Sequence, residues 1–292
     1  MKKPNFFIVG APKCGTTSLY HWLKKHEKIF MSEMKEPCYF NTDENNRNIR
    51  SLEEYESLFS KAQKKHKVVG EASVWYLGSK EAINNIKKYN PKSKILACLR
   101  NPIEMAISLH EQQLFSGNEH IKDFESAWKA QVDRRAKKKL SYWTREHRHL
   151  IYGEVCKLGD QIERLFEEFK EERVKITFLK DIKEKPKKEY EDILNFLELD
   201  KTNNVGFKPK NKGKKEKKSR TIRLILRFIH GIKNRMGIYS GFGIGKMISK
   251  INKKEKEKRK ISKTLIRDMK KYFNNDIKKL EKVVDRDLSN WI

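Results

Sequence analysis

The sequence is short of acid, short of cysteine and without long apolar runs, and each shortage excludes something. Its 39 aspartates and glutamates face 67 lysines and arginines, a net charge of +28, so any partner it collects by charge is an anion. Cys14, Cys38, Cys98 and Cys156 lie far apart with no C-x-x-C pair, a spacing that indicates neither a zinc site nor a disulfide framework and fits reduced thiols in a cytosol. No run reaches the length of a membrane span. Met1-Lys2-Lys3-Pro4-Asn5 passes directly into a strand-like stretch, which leaves no room for a signal peptide. The expected location is the cytoplasm.

What is present begins with charge and length. A chain this basic gathers polyanions through counterion release, so a charge-driven nucleic-acid-binding module is one reading. Lysine outnumbers arginine, is spread throughout, and is accompanied by abundant Asn and Ile. Compositional drift plus an anionic ligand is therefore the other reading, with no specific nucleic acid expected. At 292 residues the chain is long enough for one large α/β domain, expected over 1–292.

The organising stretch is Phe6-Phe7-Ile8-Val9 followed by Gly10-Ala11-Pro12-Lys13-Cys14-Gly15-Thr16-Thr17-Ser18. It is an apolar run, a glycine-bounded turn and the start of a helix-like pattern. Backbone N–H groups in such a turn, backed by the positive end of the next helix, hold an anion such as phosphate. The spacing nearly matches G-x-x-x-x-G-K-[ST], yet Thr16 stands where that loop has its lysine, and Lys13 lies three residues earlier. A P-loop kinase or NTPase is thus an alternative. No acidic metal-binding motif follows the strands, as a magnesium-dependent nucleotide hydrolase would need.

Further along, strands are predicted at Val68–Ser73, Lys94–Arg100 and Val174–Leu179, with helices over Thr17–His26, Glu53–Lys65, Lys80–Tyr89, from Pro102 onward, and over Val155–Phe169, Tyr190–Leu197 and Leu265–Leu288. Pro37 forces Glu36 out of helical geometry into an extended turn. This alternation argues for a parallel sheet covered by helices on both faces. Glu71 and Arg100 then fall at carboxyl ends of strands, the edge where such sheets bind ligands. From Ser116 to His149 the chain is polar and rich in Arg, Lys, His and aromatics, read as helices with a substrate-facing segment. Residues 208–220 hold eight Lys or Arg in thirteen, with Lys212-Gly213 inside. This run is either a solvated mobile loop or an anion-gripping flap. A basic amphipathic helix follows near 222–233, placed over the domain's own cleft or on an anionic membrane. The basic segment is bounded at about 208–262.

Four ordered stretches carry a resemblance: Gly10 to Thr17, Lys35-Glu36-Pro37-Cys38-Tyr39-Phe40, Gly70-Glu71-Ala72-Ser73, and Leu99-Arg100-Asn101-Pro102 with Ser108. Together they resemble the sulfotransferases that use 3′-phosphoadenosine-5′-phosphosulfate (PAPS), and most of all the carbohydrate and heparan-sulfate-type branch with its bacterial relatives. The resemblance implies a P-loop-like parallel sheet in a single domain. It also implies sulfuryl transfer from PAPS to a hydroxyl, or secondarily an amine, of a carbohydrate or glycolipid, leaving adenosine 3′,5′-bisphosphate.

By the same resemblance Lys13, Cys14, Gly15, Thr16, Thr17 and Ser18 hold the 5′-phosphosulfate, and Lys13 also neutralises charge on the bridging oxygen. Arg100 and Ser108 bind the 3′-phosphate, and Lys212 and Gly213 belong to a loop closing over the nucleotide. Glu36 aligns with the general base. Lys35 and Glu71 are weaker candidates for holding the sulfuryl oxygens and the acceptor. No metal is implied. Other branches use histidine as base, which makes His110 and His120 competitors. Cys14 is read as a small loop filler whose thiol, at a helix N-terminus, is open to acidification and oxidation.

Overall fold

Phe6–Gly10 forms strand β1, and all five of its residues are buried. A strand covered on both faces reads as a continuous apolar run, which is why it shows no alternation. The computed structural model describes residues 2–202, 205–207 and 261–292, and the two-residue strands Glu216–Lys217 and Lys253–Lys254, which pair antiparallel. Lys212, Gly213 and the amphipathic helix expected near 222–233 lie outside the described residues. The chain divides into a unit of Met1–Asn211 with Ile261–Ile292 and a unit of Lys212–Lys260. The first unit carries the main sheet and its helices.

In chain order β1 is followed by α1 (Thr16–Leu23), β2 (Ile29–Met31), α2 (Leu52–Ser57), β3 (Val68–Ala72), α3 (Ala82–Tyr89), β4 (Lys94–Leu99) and α4 (Pro102–Ser116). Then come α5 (Phe124–Lys129), α6 (Gln131–Arg135), α7 (Tyr152–Val155), α8 (Leu158–Glu168), β5 (Val174–Phe178), α9 (Leu179–Glu184), α10 (Pro186–Phe196) and a long last helix, α11 (Lys263–Val284). The five strands form one parallel sheet in the order β2-β3-β1-β4-β5. Phe7 stands beside Glu71 on one side and Ile95 on the other. Two groups of helices cover it: α1 packs with β2, β3 and α10, while α3, α4 and α11 form a second set in which α3 and α11 both meet α8.

With β1 central and its neighbours entered from opposite directions, the carboxyl edge beside β1 is the crevice of this architecture. The stretch Ile29–Met31, for which the sequence suggested no element, is a fifth strand, and the helix expected over Glu53–Lys65 ends at Ser57, with Leu58 and Phe59 buried in the turn after it. Among the described residues no helix is long and apolar enough to cross a membrane.

A carboxylate of the last helix caps α8, and Lys279 beside it bonds to Asp160 and Glu163 of α8. Lys157 gives α8 no side-chain cap. Instead, Asp276 of α11 accepts hydrogen bonds from Gly159 N and Asp160 N, both at 3.0 Å. A Cβ on Gly159 would lie 2.3 Å from the Asp276 carbonyl oxygen, so the helices approach as closely as glycine permits. Helix-start N–H groups without such a partner cost stability. Asp276→Ala is expected to lower unfolding free energy by about 1–2 kcal/mol, read as a lower urea midpoint with unchanged slope.

Candidate active site

The turn after β1 is built from backbone that only certain residues tolerate. Gly10 has φ 151° and Gly15 φ 96°. A Cβ on Gly10 would sit 2.8 Å from Val74 O, and one on Gly15 3.0 Å from Leu179 Cδ1. Ala11 N donates to Cys98 O at 2.8 Å, tying the turn to β4. Lys13 itself is left-handed, φ 69°, and half-buried. The start of α1 carries no side-chain cap and no acidic residue in its first turn. The first N–H groups of a helix have no partner within it, and this end is its positive end, so the turn suits an anion. Thr16 is buried and Thr17 and Ser18 half-buried at that helix start.

Because the strands are parallel, the residues that follow each of them meet at one edge. Ser73 N donates to Ile8 O at 3.1 Å and Leu77 N to Val9 O at 2.9 Å, so the segment after β3 lies against β1. Arg100, after β4, donates through Nη1 to Lys13 O at 3.4 Å, and through Nε and Nη2 to Glu104 Oε2 at 3.0 Å each. Burial, and then the neighbouring Arg100 charge, pushes Lys13 below the usual lysine range. Two cations thus share one turn, a pairing that a bound anion relieves. Asn101 Oδ1 caps α4 on Ile103 N (3.0 Å) and Glu104 N (3.3 Å), with Pro102 at the first helical position. Ser108 is half-buried on that helix, roughly 9 Å of axial rise past Pro102.

Glu36 follows β2 with φ 65°, a left-handed backbone unusual for glutamate. Its N–H donates to Ala72 O at 2.9 Å, its Oε2 accepts from Val74 N at 2.9 Å, and its Oε1 takes the ammonium of Lys35. Asn48 Nδ2 donates to its carbonyl at 2.7 Å, and Arg145 Nη2 donates to Asn48 Oδ1 at 3.3 Å. The carboxylate remains partly exposed, 29% on the side chain.

Several expected residues land elsewhere. Glu71 is wholly buried, and its carboxylate accepts from Ser73 Oγ and Tyr76 OH at 2.8 Å and from Tyr55 OH at 3.4 Å. Burial pushes it up to about 7. It has no exposed surface in this structure. Cys14 packs its Sγ against Met105 Sδ (3.9 Å) and Pro12 O (3.5 Å), and burial pushes the thiol up to about 12. It is filler; the acidic, oxidisable thiol is not what the structure holds. Its N–H donates to Ala11 O at 3.3 Å. His110 sits in the core, its ring nitrogen 2.9 Å from Ile121 O beside Phe124 and Tyr152, and His120 lies 3.9 Å from Glu119.

Sequence alone did not reveal the support beside Glu36. Trp75 and His149 rings stack 3.4 Å apart, and His149 Nε2 lies 3.2 Å from Glu44 Oε2. Arg148 donates to Glu146 Oε1 at 3.0 Å and to Asp43 Oδ2 at 3.1 Å. Although burial opposes it, hydrogen bonds from Arg148 and Asn45 N hold the Glu146 carboxyl down at about 2. These contacts pin 141–149 to 41–48. Their only sequence signal is the density of Asn, Arg and His in two segments about a hundred residues apart. Among the described residues no group of three or more His, Cys, Asp or Glu is placed to hold a metal ion.

Comparison with known proteins gives the family and the fold. The sulfotransferase-domain family model matches residues 3–291. The membrane-associated sulfotransferase kil1 of Dictyostelium discoideum is 32% identical over 108 residues, covering 36% of this chain and 22% of that protein. Carbohydrate sulfotransferase 15 of Rattus norvegicus is 27% identical over 165 residues, covering 41% and 29% respectively. The matches thus span less than a third of either relative's own length. The crystal structure of a sulfotransferase from Alicyclobacillus acidocaldarius superposes with a TM-score of 0.75 over 100% of this chain and 99% of its own, at 23% identity, a likeness of fold.

Proposed function

For a chain that belongs to the sulfotransferase family, we propose in-line transfer of a sulfuryl group from PAPS to a hydroxyl of a carbohydrate or glycolipid acceptor, with Glu36 as general base. The observation that carries this is the meeting of the Lys13 turn, Arg100 and Glu36 at one sheet edge, cations on the β1 and β4 side and the carboxylate on the β2 side. The half-buried cation pair Lys13 and Arg100, with the uncapped start of α1, fits a nucleotide bearing two separate anionic groups. Gly15, Thr16, Thr17 and Ser18 hold the 5′ side, Arg100 and Ser108 the 3′-phosphate. Lys212 and Gly213 stay with the nucleotide on the resemblance alone.

In the reaction Glu36 takes the acceptor's proton as its oxygen bonds to sulfur. The bond from sulfur to the bridging oxygen breaks, and Lys13 stabilises the charge that collects there, so adenosine 3′,5′-bisphosphate departs. In this reading Lys35, paired with Glu36, also holds the sulfuryl oxygens. Carbohydrate as the acceptor class rests on the rat relative's name. The four free, buried cysteines support a cytoplasmic setting. Peripheral contact with an anionic membrane rests on the basic segment and on the name of the Dictyostelium relative. We read 1–292 as one sulfotransferase domain with the basic insert at about 208–262.

Two measurements test this reading. Adenosine 3′,5′-bisphosphate at a hundred times its Kd is expected to raise stability by about 2.7 kcal/mol, with no metal added, while ADP with magnesium at the same concentration gives a smaller shift. The reverse order favours a kinase or NTPase. Lys13→Ala is expected to cut kcat by about 10²–10³-fold, the effect of losing one charge-stabilising group, read with radiolabelled PAPS under saturation.

A further inference from the structure

Glu71 is the largest unexplained commitment in the sheet: a carboxylate with no exposed surface, at the end of β3, desolvated and raised to about 7. A buried carboxylate away from the chemistry needs a reason, because burying charge is costly unless hydrogen bonds offset it. Its partners supply that reason. Ser73 Oγ donates to Glu71 Oε2 and accepts from Cys38 N at 3.1 Å. Tyr76 OH donates to Glu71 Oε1 and accepts from Tyr39 N at 2.9 Å, with Phe40 N at 3.4 Å. Each hydroxyl has one proton. Since backbone N–H groups must donate, each hydroxyl oxygen serves the loop and each hydroxyl proton goes to Glu71.

That loop is the one that carries the base. Glu36 and Cys38 both have left-handed φ, 65° and 51°, on either side of Pro37. Such backbone is costly and persists only where its surroundings over-determine it. The restraints after Glu36 are the two N–H groups that reach Glu71 through hydroxyls, and Pro37 O, which accepts from Asn48 N (3.2 Å) and Ile49 N (3.1 Å).

We propose that Glu71 is the positioning residue for Glu36, holding the left-handed Glu36–Cys38 turn in place through Ser73 and Tyr76. This rests on Glu36 being the base. An ionised carboxylate can accept from both hydroxyls at once. A glutamine in its place offers one oxygen and one NH2, and the NH2 must donate to one of the hydroxyls, competing there with the loop N–H.

The test uses Glu71→Gln, Glu36→Gln and the double variant, with radiolabelled PAPS and desulfated heparin, chondroitin and vesicles of unsulfated glycolipid as acceptors. Glu71→Gln is expected to lower kcat tenfold or more while the Kd for adenosine 3′,5′-bisphosphate stays within twofold, because the Lys13 turn is untouched. In the Glu36→Gln background it is expected to add nothing, since positioning an absent base has no value. Tyr76→Phe repeats the test without altering the buried charge. Amide hydrogen exchange provides a reading independent of acceptor: Cys38 and Tyr39 exchange at least tenfold faster in Glu71→Gln, with Leu19–Leu23 unchanged. Normal kcat in Glu71→Gln and Tyr76→Phe, unchanged exchange at both amides, or an equal loss in the Glu36→Gln background overturns the proposal. Normal turnover in Glu36→Gln alone instead overturns the assignment of the base.

Discussion

Glu36→Gln is expected to lower kcat by about 10³-fold, within the range of a lost general base, while leaving the affinity for adenosine 3′,5′-bisphosphate unchanged. The glutamine oxygen can still accept from Val74 N, and the Ala72 and Asn48 bonds belong to the backbone of residue 36, so the turn keeps its main restraints. What disappears is the ability to take a proton. Lys13 and Arg100 lie on the β1 and β4 side, where Arg100 bonds to Glu104 and to the Lys13 carbonyl, whereas the Glu36 carboxylate is held by Val74 N and Lys35. Nucleotide binding is therefore preserved. Single-turnover kinetics with radiolabelled PAPS, alongside calorimetric titration with the bisphosphate, separates the two effects.

The largest stability effect is expected at Arg134. Arg134 and Glu119 are both fully buried and joined at 2.6 Å. Arg134 Nη1 also donates to Leu150 O at 2.9 Å and Ala127 O at 3.3 Å, and Glu119 accepts from Tyr152 OH, His120 N and Ile121 N, each at 2.8 Å. Arg134→Met strips the charge partner and leaves the Glu119 carboxylate buried beside a thioether. Breaking such a pair from one side costs about 3–5 kcal/mol, and urea unfolding is the readout. Arg134→Met with Glu119→Gln is expected to regain part of the loss, because the stranded charge is gone. The pair closes the segment from Gly117 to Tyr152, which includes Arg145, the residue bonded to Asn48 beside Glu36. Weakened packing there is therefore expected to raise KM for the acceptor.

The sheet was legible where strands are long and apolar on both faces. β1, β3, β4 and β5 were all read as strands, and their order along the chain, with helices between, implied the parallel arrangement that is found. β2 escaped because three residues, Ile29–Met31, carry no period of their own and owe their pairing to β3. The expected helix past Ser57 failed because Leu58 and Phe59 are buried by a turn rather than by a helical face.

At the site, sequence order places Lys13 after the first strand, Arg100 at the end of another and Glu36 in the turn before Pro37. It did not say which strand-end residues face inward. Glu71 lies at a strand end as expected, but β3 is buried on both faces, and alternation in such a strand does not distinguish crevice from core. The relay from Glu71 through Ser73 and Tyr76 to the Glu36 loop joins residues up to 37 apart, and no local pattern announces it.

We assign sulfuryl transfer to the sheet edge that carries the Lys13 turn, Arg100 and Glu36. The measurement closest to it incubates the protein, with chelator and no added metal, with PAPS radiolabelled in its sulfuryl group and a panel of polysaccharides and glycolipids. The expected result is label on a carbohydrate hydroxyl, an equal amount of adenosine 3′,5′-bisphosphate, and loss of both in Glu36→Gln. Phosphate transfer or hydrolysis from ATP with magnesium, with no label leaving PAPS, would contradict it.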